Sequence, residues 1–377
     1  MTDREPLRRT WAAATRWGSE REPFRRTWAA TPWGSERPGT PTTGGPTMAQ
    51  AETVPSAPAA TTPTWSGRQR GGDGREVVPR ARPTSYYGRP VIKPPPWKPP
   101  LIAGYFFAGG LAGASAALGA AAHVAGNRPL ERRAWAASLA GLAVSPPLLI
   151  ADLGRPARFL NMLRVFKVTS PMSVGSWVLA ATSGAVVAAA APCFVPRVPR
   201  WVGDAAALPA GALGTLLASY TGGLLADTSV PAWHEARREL PFVFAGSAMA
   251  SAGAAALALT PPRHAEPARR LLVAGAAVET IASRAMEHRL GELARPYRSG
   301  GSGRLARAAL AATAAGAATA AAAGDRRGGG VAAAVLTLAG SALQRFAVLE
   351  AGLASARDPD ATTVPQRRRL DARGTGQ

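Results

Sequence analysis

The amino-acid sequence predicts an all-α protein that crosses a membrane with about eight helices, behind a disordered N-terminal tail. Long runs of Ala, Gly, Leu and Val fill residues 101–352, and several approach the roughly 20 residues that span a hydrocarbon core. Residues before this region are instead rich in Arg, Pro, Thr and Gly. The formal net charge is +21, and the excess arginine lies in the tails and between the apolar runs. That distribution is typical of polytopic membrane proteins and argues against nucleic-acid binding.

Residues 1–84 are predicted to form a disordered, basic and proline-rich tail. The tail begins with a tandem repeat, REPLRRTWAAATRWGSE followed by REPFRRTWAATPWGSE, which we interpret as a duplication. Residues 85–100, SYYGRPVIKPPPWKPP, are predicted to be extended because of their prolines. Their aromatic residues and lysines favour a position along the membrane surface.

Eight spans are predicted from the apolar runs, followed by a C-terminal tail at residues 354–377. The seventh span consists almost entirely of Ala and Gly, so it is weakly hydrophobic. An even number of spans places both termini on one side of the membrane, and the arginine-rich tails favour a cytoplasmic N-terminus. The predicted spans are residues 101–125, 134–151, 174–195, 205–228, 240–260, 270–287, 305–323 and 331–352.

The connection between the second and third spans, SPPLLIADLGRPARFLNMLRVFKVTSPMSVGSW, is predicted to be an ordered structure. Pro146 and Pro147 remove N–H donors from a membrane helix, which predicts a break in that helix. Gly154 permits a tight turn, and Pro156 favours the first position of a new helix. Apolar residues at helical spacing after Pro156 predict a short helix that lies in the membrane interface.

Asp152, Arg155 and Arg158 in this connection are candidate functional residues. We expect all three at the mouth of a helix bundle, where a carboxylate binds a ligand or passes protons. The two arginines are expected to contact a partner protein or lipid headgroups. For Asp152 an ion pair with a nearby arginine is the structural alternative, and it is compatible with a functional role.

A second group of candidates follows the fourth span, in ASYTGGLLADTSVPAWHEARRELPF. Tyr220 and Asp227 are seven residues apart and therefore share one face of a helix. His234 and Glu235 follow in a predicted interfacial helix, where Glu235 is expected to contact a partner or lipid headgroups and Trp233 is interpreted as a membrane-interface anchor. A phenol, a carboxylate and an imidazole are groups that bind a quinone carbonyl and transfer its protons. For His234, an ordinary surface position is the equally favoured alternative.

Polar and charged residues also lie inside apolar runs: Glu279 and Arg284 in the sixth span, and Gln344, Arg345 and Glu350 in the eighth. Ionisable groups within a membrane are functional by default and are expected to pair with one another. A proton path and a structural Glu–Arg pair both remain open at this point.

The sequence also excludes several kinds of site. The four histidines, His123, His234, His264 and His288, lie near span ends without a facing pair that would hold haem. The single cysteine, Cys193, excludes an intramolecular disulfide and a cysteine-ligated iron–sulfur cluster held by this chain alone. No P-loop, HExxH or CxxC motif is present, so neither a catalytic residue nor a metal site is predicted. Redox chemistry would require cofactors on another subunit or a diffusible carrier.

Five stretches together resemble the NrfD / polysulfide reductase membrane-subunit family in its actinobacterial form. They are SYYGRPVIKPPPWK, LLIADLGRPARFLNMLRVFKVTSPMSVGSW, ADTSVPAWHEARRELPFVF, EHRLGELARPYRSG and LQRFAVLEAGLASARDPDATTVPQR, and they span about residues 85–369. The resemblance implies a haem-free, multi-pass protein of the cell membrane, built from two four-helix bundles. It further implies electron exchange between membrane quinone or menaquinone and a ferredoxin-like iron–sulfur subunit, itself docked to a molybdopterin oxidoreductase such as a formate dehydrogenase.

The resemblance also implies a quinone pocket in the first bundle, near the face that meets the iron–sulfur subunit. A carboxylate at the end of the second helix and a tyrosine in the fourth help to form it, and Asp152 and Tyr220 occupy those positions here. Two other functions remain open: a small-solute or ion transporter, which broken helices and intramembrane charges also suit, and a structural anchor without quinone chemistry.

Overall fold

The computed structural model describes residues 91–324 and 326–374, with side chains described as far as residue 367. The predicted tail 1–84, its repeat and the first part of the 85–100 segment lie outside these residues. Eight long helices are found in the described part of the chain. They are α1 (Pro99–Val124), α2 (Arg128–Leu153), α4 (Pro171–Phe194), α5 (Arg200–Ala226), α7 (Leu240–Leu259), α8 (Glu266–Leu290), α10 (Gly300–Ala322) and α11 (Arg327–Arg357).

Shorter helices occupy the connections between the long ones. They are α3 (Ala157–Arg164), α6 (Pro231–Glu235), α9 (Arg295–Arg298) and α12 (Pro359–Gly374), with 3₁₀ turns at Pro262–His264 and Gly291–Ala294. The C-terminal region 354–377, expected to be a tail, thus contributes the last turn of α11 and the whole of α12.

Seven of the long helices are apolar and long enough to cross a membrane, so the chain is a multi-pass membrane protein. The eighth, α8, is 25 residues long, but Glu279, Arg284 and Glu287 interrupt its apolar stretch. The prediction of about eight spans therefore agrees with the structure to within one helix. The weakly hydrophobic helix α10 is among the seven, and the charged helix α8 is the exception.

The long helices form two four-helix rings. In the first bundle, α1 packs on α2 and α5, and α4 closes the ring against both; in the second bundle, α7, α8, α10 and α11 pack in the same cyclic order. Helices α1 and α5 contact α7, and α1 also contacts α11, so these helices join the two bundles. The two-bundle arrangement implied by the family resemblance is confirmed.

Successive long helices run antiparallel because short connections join them. We call the end of the bundles at which α1 begins the near face. It carries residues 91–98 and the connections 154–170, 227–239, 291–299 and 358–374. The opposite end, with the connections 125–127, 195–199 and 260–265, is the far face.

Glycine allows two helices of the first bundle to approach closely. A Cβ atom added at Gly113 of α1 would overlap the Gly214 carbonyl of α5 and touch the backbone amide of Ala218. Small residues at such crossings let backbones meet in a membrane, where van der Waals packing replaces the hydrophobic effect as the driving force. The α1–α5 contact is therefore one that almost any larger side chain would disrupt.

Gly113→Ala is expected to lower the free energy of unfolding by about 1–3 kcal/mol, because the added methyl group overpacks the α1–α5 contact. Thermal unfolding in detergent, followed by circular dichroism, measures the change. Gly184→Ala is the matched control, since a Cβ added there would meet nothing within 4 Å. An unchanged midpoint for Gly113→Ala would show that the two helices separate without penalty.

The predicted break at Pro146 and Pro147 is wrong, because α2 continues through both prolines to Leu153. Neighbouring helices and serine or threonine side chains can support a membrane helix that contains proline. Here the hydroxyl of Ser145, directly before the prolines, donates to the Tyr105 carbonyl of α1 at 3.4 Å. The helix ends instead at Gly154, which adopts a left-handed conformation with φ 72°.

Trp233 of α6 packs inside the protein and is not the interface anchor that its position suggests. Its side chain is fully buried, and its indole N–H donates to the Val348 carbonyl of α11 at 2.8 Å. The ring stacks on Trp97, with 5.7 Å between centroids, and leaves no room for a Cβ at Gly352. Trp233 therefore links the segment that precedes α1 to the second bundle.

Candidate functional site

Asp152 lies in the last turn of α2, half buried at the near face. Its Oδ1 accepts a hydrogen bond from the backbone N–H of Lys98 at 2.9 Å. Lys98 is the residue directly before α1, and Pro99 and Pro100 have no amide hydrogen, so its N–H is the foremost donor of that helix start. The carboxylate thus ties the end of α2 to the start of α1, where a negative charge is favoured by the helix dipole.

The two arginines of the same connection differ in their contacts. Arg158 donates from Nη1 to the Leu153 carbonyl at 3.1 Å, so it caps the C-terminal end of α2. Arg155 is exposed at the near face. Pro156 precedes α3 by one residue and does not occupy its first position. Arg158 therefore has a structural contact within its own loop, and Arg155 has the position expected of a residue that meets a partner or a headgroup.

Helix α3 has the character predicted for a helix in the membrane interface. None of its residues is fully buried, and large apolar side chains along and after it are exposed: Leu160, Val165, Phe166, Val168 and Met172. Ser173 of α4 fastens the downstream end, because its hydroxyl donates to the Val165 carbonyl at 2.9 Å and accepts from the Lys167 N–H at 3.1 Å. In a membrane this apolar surface is covered by lipid.

Tyr220 lies in α5, half buried, close to the near end of α4. Its hydroxyl donates to the carbonyl of Pro171, the first residue of α4. The ring lies against Gly175, where an added Cβ would overlap it. The absence of a side chain at Gly175 therefore makes the space that the phenol occupies within the first bundle.

A second tyrosine lies at the same end of the first bundle. Tyr105 of α1 is almost completely buried and close enough to Tyr220 to interact with it electrostatically. Nothing in the sequence pattern singles it out, since its neighbours are apolar. The one available signal is its spacing of seven residues from Lys98, which places it two turns below the Asp152 contact on α1.

Asp227 and His234 are not brought into the bundle. Helix α5 ends at Ala226, so Asp227 is an exposed C-cap residue and the helical spacing that relates it to Tyr220 no longer applies. His234 is exposed at the near face, because its neighbour Trp233 takes the inward position in the five-residue helix α6. Both side chains remain on the near face, outside the helix contacts that hold Tyr220.

Glu235 belongs to the near face of the second bundle. It is half buried, with Oε2 at 3.7 Å from Nη1 of Arg237, and its carbonyl accepts a hydrogen bond from Arg289. It also lines a cavity of about 920 Å³ between the 291–299 connection and α12. Its surroundings are therefore those of a surface that meets solvent or a partner.

The intramembrane charges singled out above, Glu279, Arg284 and Arg345, comprise two buried residues and one exposed residue. Glu279 of α8 is 4% exposed and Arg345 of α11 is 1% exposed, whereas Arg284 lies on the outer side of α8. Arg345 donates from Nη2 to the Phe244 carbonyl at 2.9 Å, with its guanidinium 3.9 Å from the centroid of the Phe244 ring. Glu279 has Arg345 and Ser247 as polar neighbours.

The far face of the first bundle contains an ionic cluster that the sequence does not suggest. Glu131 is buried and accepts from His123 Nδ1 at 2.8 Å and from Arg128 Nη1 at 3.0 Å. Nε2 of His123 lies 3.5 Å from Asp204 Oδ1, so the cluster joins the ends of α1, α2 and α5. Among the described residues, no group of three His, Cys, Asp or Glu side chains is arranged to hold a metal ion.

Comparison with known proteins gives one family. No curated protein matches the chain. The family described as polysulphide reductase, NrfD, matches residues 93–270, which run from the segment before α1 into α8 and include Asp152 and Tyr220. Over these residues, slightly less than half of the chain, the sequence is similar to the polysulphide reductase, NrfD, family, and this similarity suggests a membrane subunit of a quinone-linked respiratory oxidoreductase.

Proposed function

We propose that the chain is a haem-free membrane subunit that exchanges electrons between membrane quinone and the iron–sulfur cluster of a partner subunit in a molybdopterin enzyme. The quinone binds at the near face of the first bundle. The observation that supports this most is the position of Tyr220, whose phenol lies half buried at the same end of the bundle as the Asp152 carboxylate. These are hydrogen-bonding groups that suit the oxygen atoms of a quinone head group.

Quinone reduction adds two electrons and two protons to the two oxygen atoms of the ring, and quinol oxidation removes them. In the proposed site the Tyr220 hydroxyl donates a hydrogen bond to one quinone oxygen in place of the Pro171 carbonyl. Asp152, at the surface end of α2, exchanges protons between the head group and the aqueous phase. The chain's own residues therefore bind and orient the substrate and move protons, while the partner subunit supplies or accepts the electrons.

The near face also has the charge expected of a surface that meets a partner or acidic lipid. Six basic side chains between α2 and α4 or after α6 are exposed there: Arg155, Arg158, Arg164, Lys167, Arg237 and Arg238. Because electron transfer requires the partner cluster to lie close to the quinone, we place the docking of the iron–sulfur subunit on this face.

Asp152→Asn and Tyr220→Phe test the proposal in the assembled complex. Each is expected to reduce quinone-coupled turnover about tenfold, which corresponds to about 1.4 kcal/mol, the scale of one lost hydrogen bond. Asparagine keeps an oxygen acceptor for the Lys98 N–H, so the α1–α2 contact is retained while the charge is removed. Turnover is measured with a soluble quinone, and donor oxidation by an artificial acceptor shows that the partner subunits remain active.

Asp204→Asn is the matched control, because it makes the same change at an exposed carboxylate on the far face. It is expected to leave quinone turnover unchanged. Normal turnover in both near-face variants would reject the site assignment. A wild-type complex that assembles but neither binds nor reduces quinone would support the anchor function, and solute uptake by the isolated chain in proteoliposomes would support a transporter.

A further inference from the structure

The centre of the second bundle contains buried polar atoms that the described residues do not satisfy. Oε2 of Glu279, Nε and Nη1 of Arg345 and Oγ of Ser247 are all buried without a hydrogen-bond partner in the described part of the chain. They come from three helices, α8, α11 and α7. Arg345 uses only its Nη2 group, on the Phe244 carbonyl, so most of its donor capacity is unused in the described part of the chain.

Buried polar groups inside proteins nearly always have a hydrogen-bond partner, which is either protein or ordered water. A buried donor or acceptor without a partner costs about 1–3 kcal/mol, and an unpartnered charge costs more. Interior water satisfies such groups where several polar atoms converge, usually with about three hydrogen bonds per molecule. The converging carboxylate, guanidinium and hydroxyl groups therefore point to bound water between α7, α8 and α11.

The cluster lies deep in the bundle. At about 1.5 Å per residue, Glu279 is about 16 Å along α8 from its near-face end at Leu290. In the second bundle, four further hydroxyls of the described residues are buried without a partner, at other depths: Tyr297 at the near face, Thr313 and Thr337 on α10 and α11, and Thr260 just after α7 at the far face. Unsatisfied polar groups therefore occur at several levels of the second bundle, on both sides of Glu279.

We propose that Glu279 is a proton-binding site inside the second bundle, reached through bound water and held opposite Arg345 as a fixed positive charge. A proton from water forms an O–H bond on the carboxylate, and its return to water restores the ion. This function goes beyond electron exchange in the first bundle. Arg345 and Ser247 face Glu279 from α11 and α7, and α7 contains no ionisable residue. Other charged residues of α8, α10 and α11 lie toward both faces: Arg284, Glu287, Arg304, Arg307 and Glu350 toward the near face, and Glu266, Arg269, Arg270 and Arg327 toward the far face.

Infrared difference spectra of the intact protein in lipid, recorded as the pH is changed, test the proposal. Because the sequence has 23 Asp and Glu residues, the band of interest is the carboxylic acid C=O component that distinguishes the wild-type spectrum from that of Glu279→Gln, appears at low pH and shifts in D₂O. Glu279→Gln should lose this band. Glu287→Gln, which removes a half-buried carboxylate two turns along the same helix, should retain it.

Glu279→Asp is the control for misfolding, because it keeps a carboxyl group at the same position. It should give the band at a shifted frequency. Wild-type and Glu279→Gln spectra that differ in no exchangeable carboxyl band would overturn the proposal. So would a band that persists unchanged in both Glu279 variants, since it would then belong to another residue.

Discussion

Trp233→Ala is expected to lower the free energy of unfolding by about 3–5 kcal/mol, the range found when a buried aromatic side chain is truncated. Trp233 has no exposed surface, and its removal leaves a cavity between α6, α11 and the segment before α1. The Val348 carbonyl loses its indole donor and Trp97 loses its stacking partner. The change is measured by thermal unfolding in detergent, followed by circular dichroism.

Trp201→Ala is the control for this prediction, because the Trp201 side chain is 69% exposed at the start of α5. Its effect is expected to stay within about 0.5 kcal/mol, as for most surface substitutions. Trp233→Phe, which keeps a ring but loses the N–H donor, should fall between the wild type and Trp233→Ala. Equal unfolding midpoints for Trp233→Ala and Trp201→Ala would show that α6 does not hold the second bundle.

Arg345→Met is expected to destabilise the protein by about 3–5 kcal/mol, because it leaves the Glu279 carboxylate buried without its opposite charge. The Phe244 carbonyl also loses its donor, and the Phe244 ring loses the cation that lies over it. The unfolding free energy in detergent measures the effect. Arg284→Met removes an exposed arginine from the neighbouring helix and is expected to change stability by no more than about 0.5 kcal/mol.

The double variant Glu279→Leu, Arg345→Met separates charge pairing from packing. Glu279 and Arg345 interact electrostatically without a direct salt bridge. Removing both buried charges leaves neither one uncompensated, so the double variant should recover most of the stability lost by Arg345→Met. If the changes in unfolding free energy caused by Glu279→Leu and Arg345→Met alone add up to the change in the double variant, the two buried charges do not interact.

Apolar runs predicted the long helices well because crossing a hydrocarbon core requires length and hydrophobicity, both of which are local properties. The same runs do not show which side of a helix faces inward, since alanine and glycine are distributed all around these helices. Glu279 and Arg284 illustrate the problem. They are five residues apart, about 140° around the helix at roughly 100° per residue, so only one can face the bundle. The sequence does not say which one, and the structure buries Glu279.

The sequence predicted only part of the candidate site, because contacts between distant segments depend on how the helices pack. Asp152 was expected at the end of α2, but its contact with Lys98 joins residues 54 positions apart and depends on how α1 and α2 pack. The sequence pattern placed His234 and Trp233 together at the interface, whereas the structure turns the tryptophan inward and the histidine outward. The break expected at Pro146 and Pro147 fails because α1 supports α2 at that level through Ser145.

Helix α3 is held at both ends and only partly covered by protein between them. Arg158 holds its start to α2, and Ser173 holds the segment after it to α4, while no α3 residue is fully buried. The bilayer therefore completes the packing of this segment, which makes it the part of the first bundle most sensitive to lipid composition and membrane thickness. Delipidation should consequently loosen the loop around Asp152 before it separates the helices beneath.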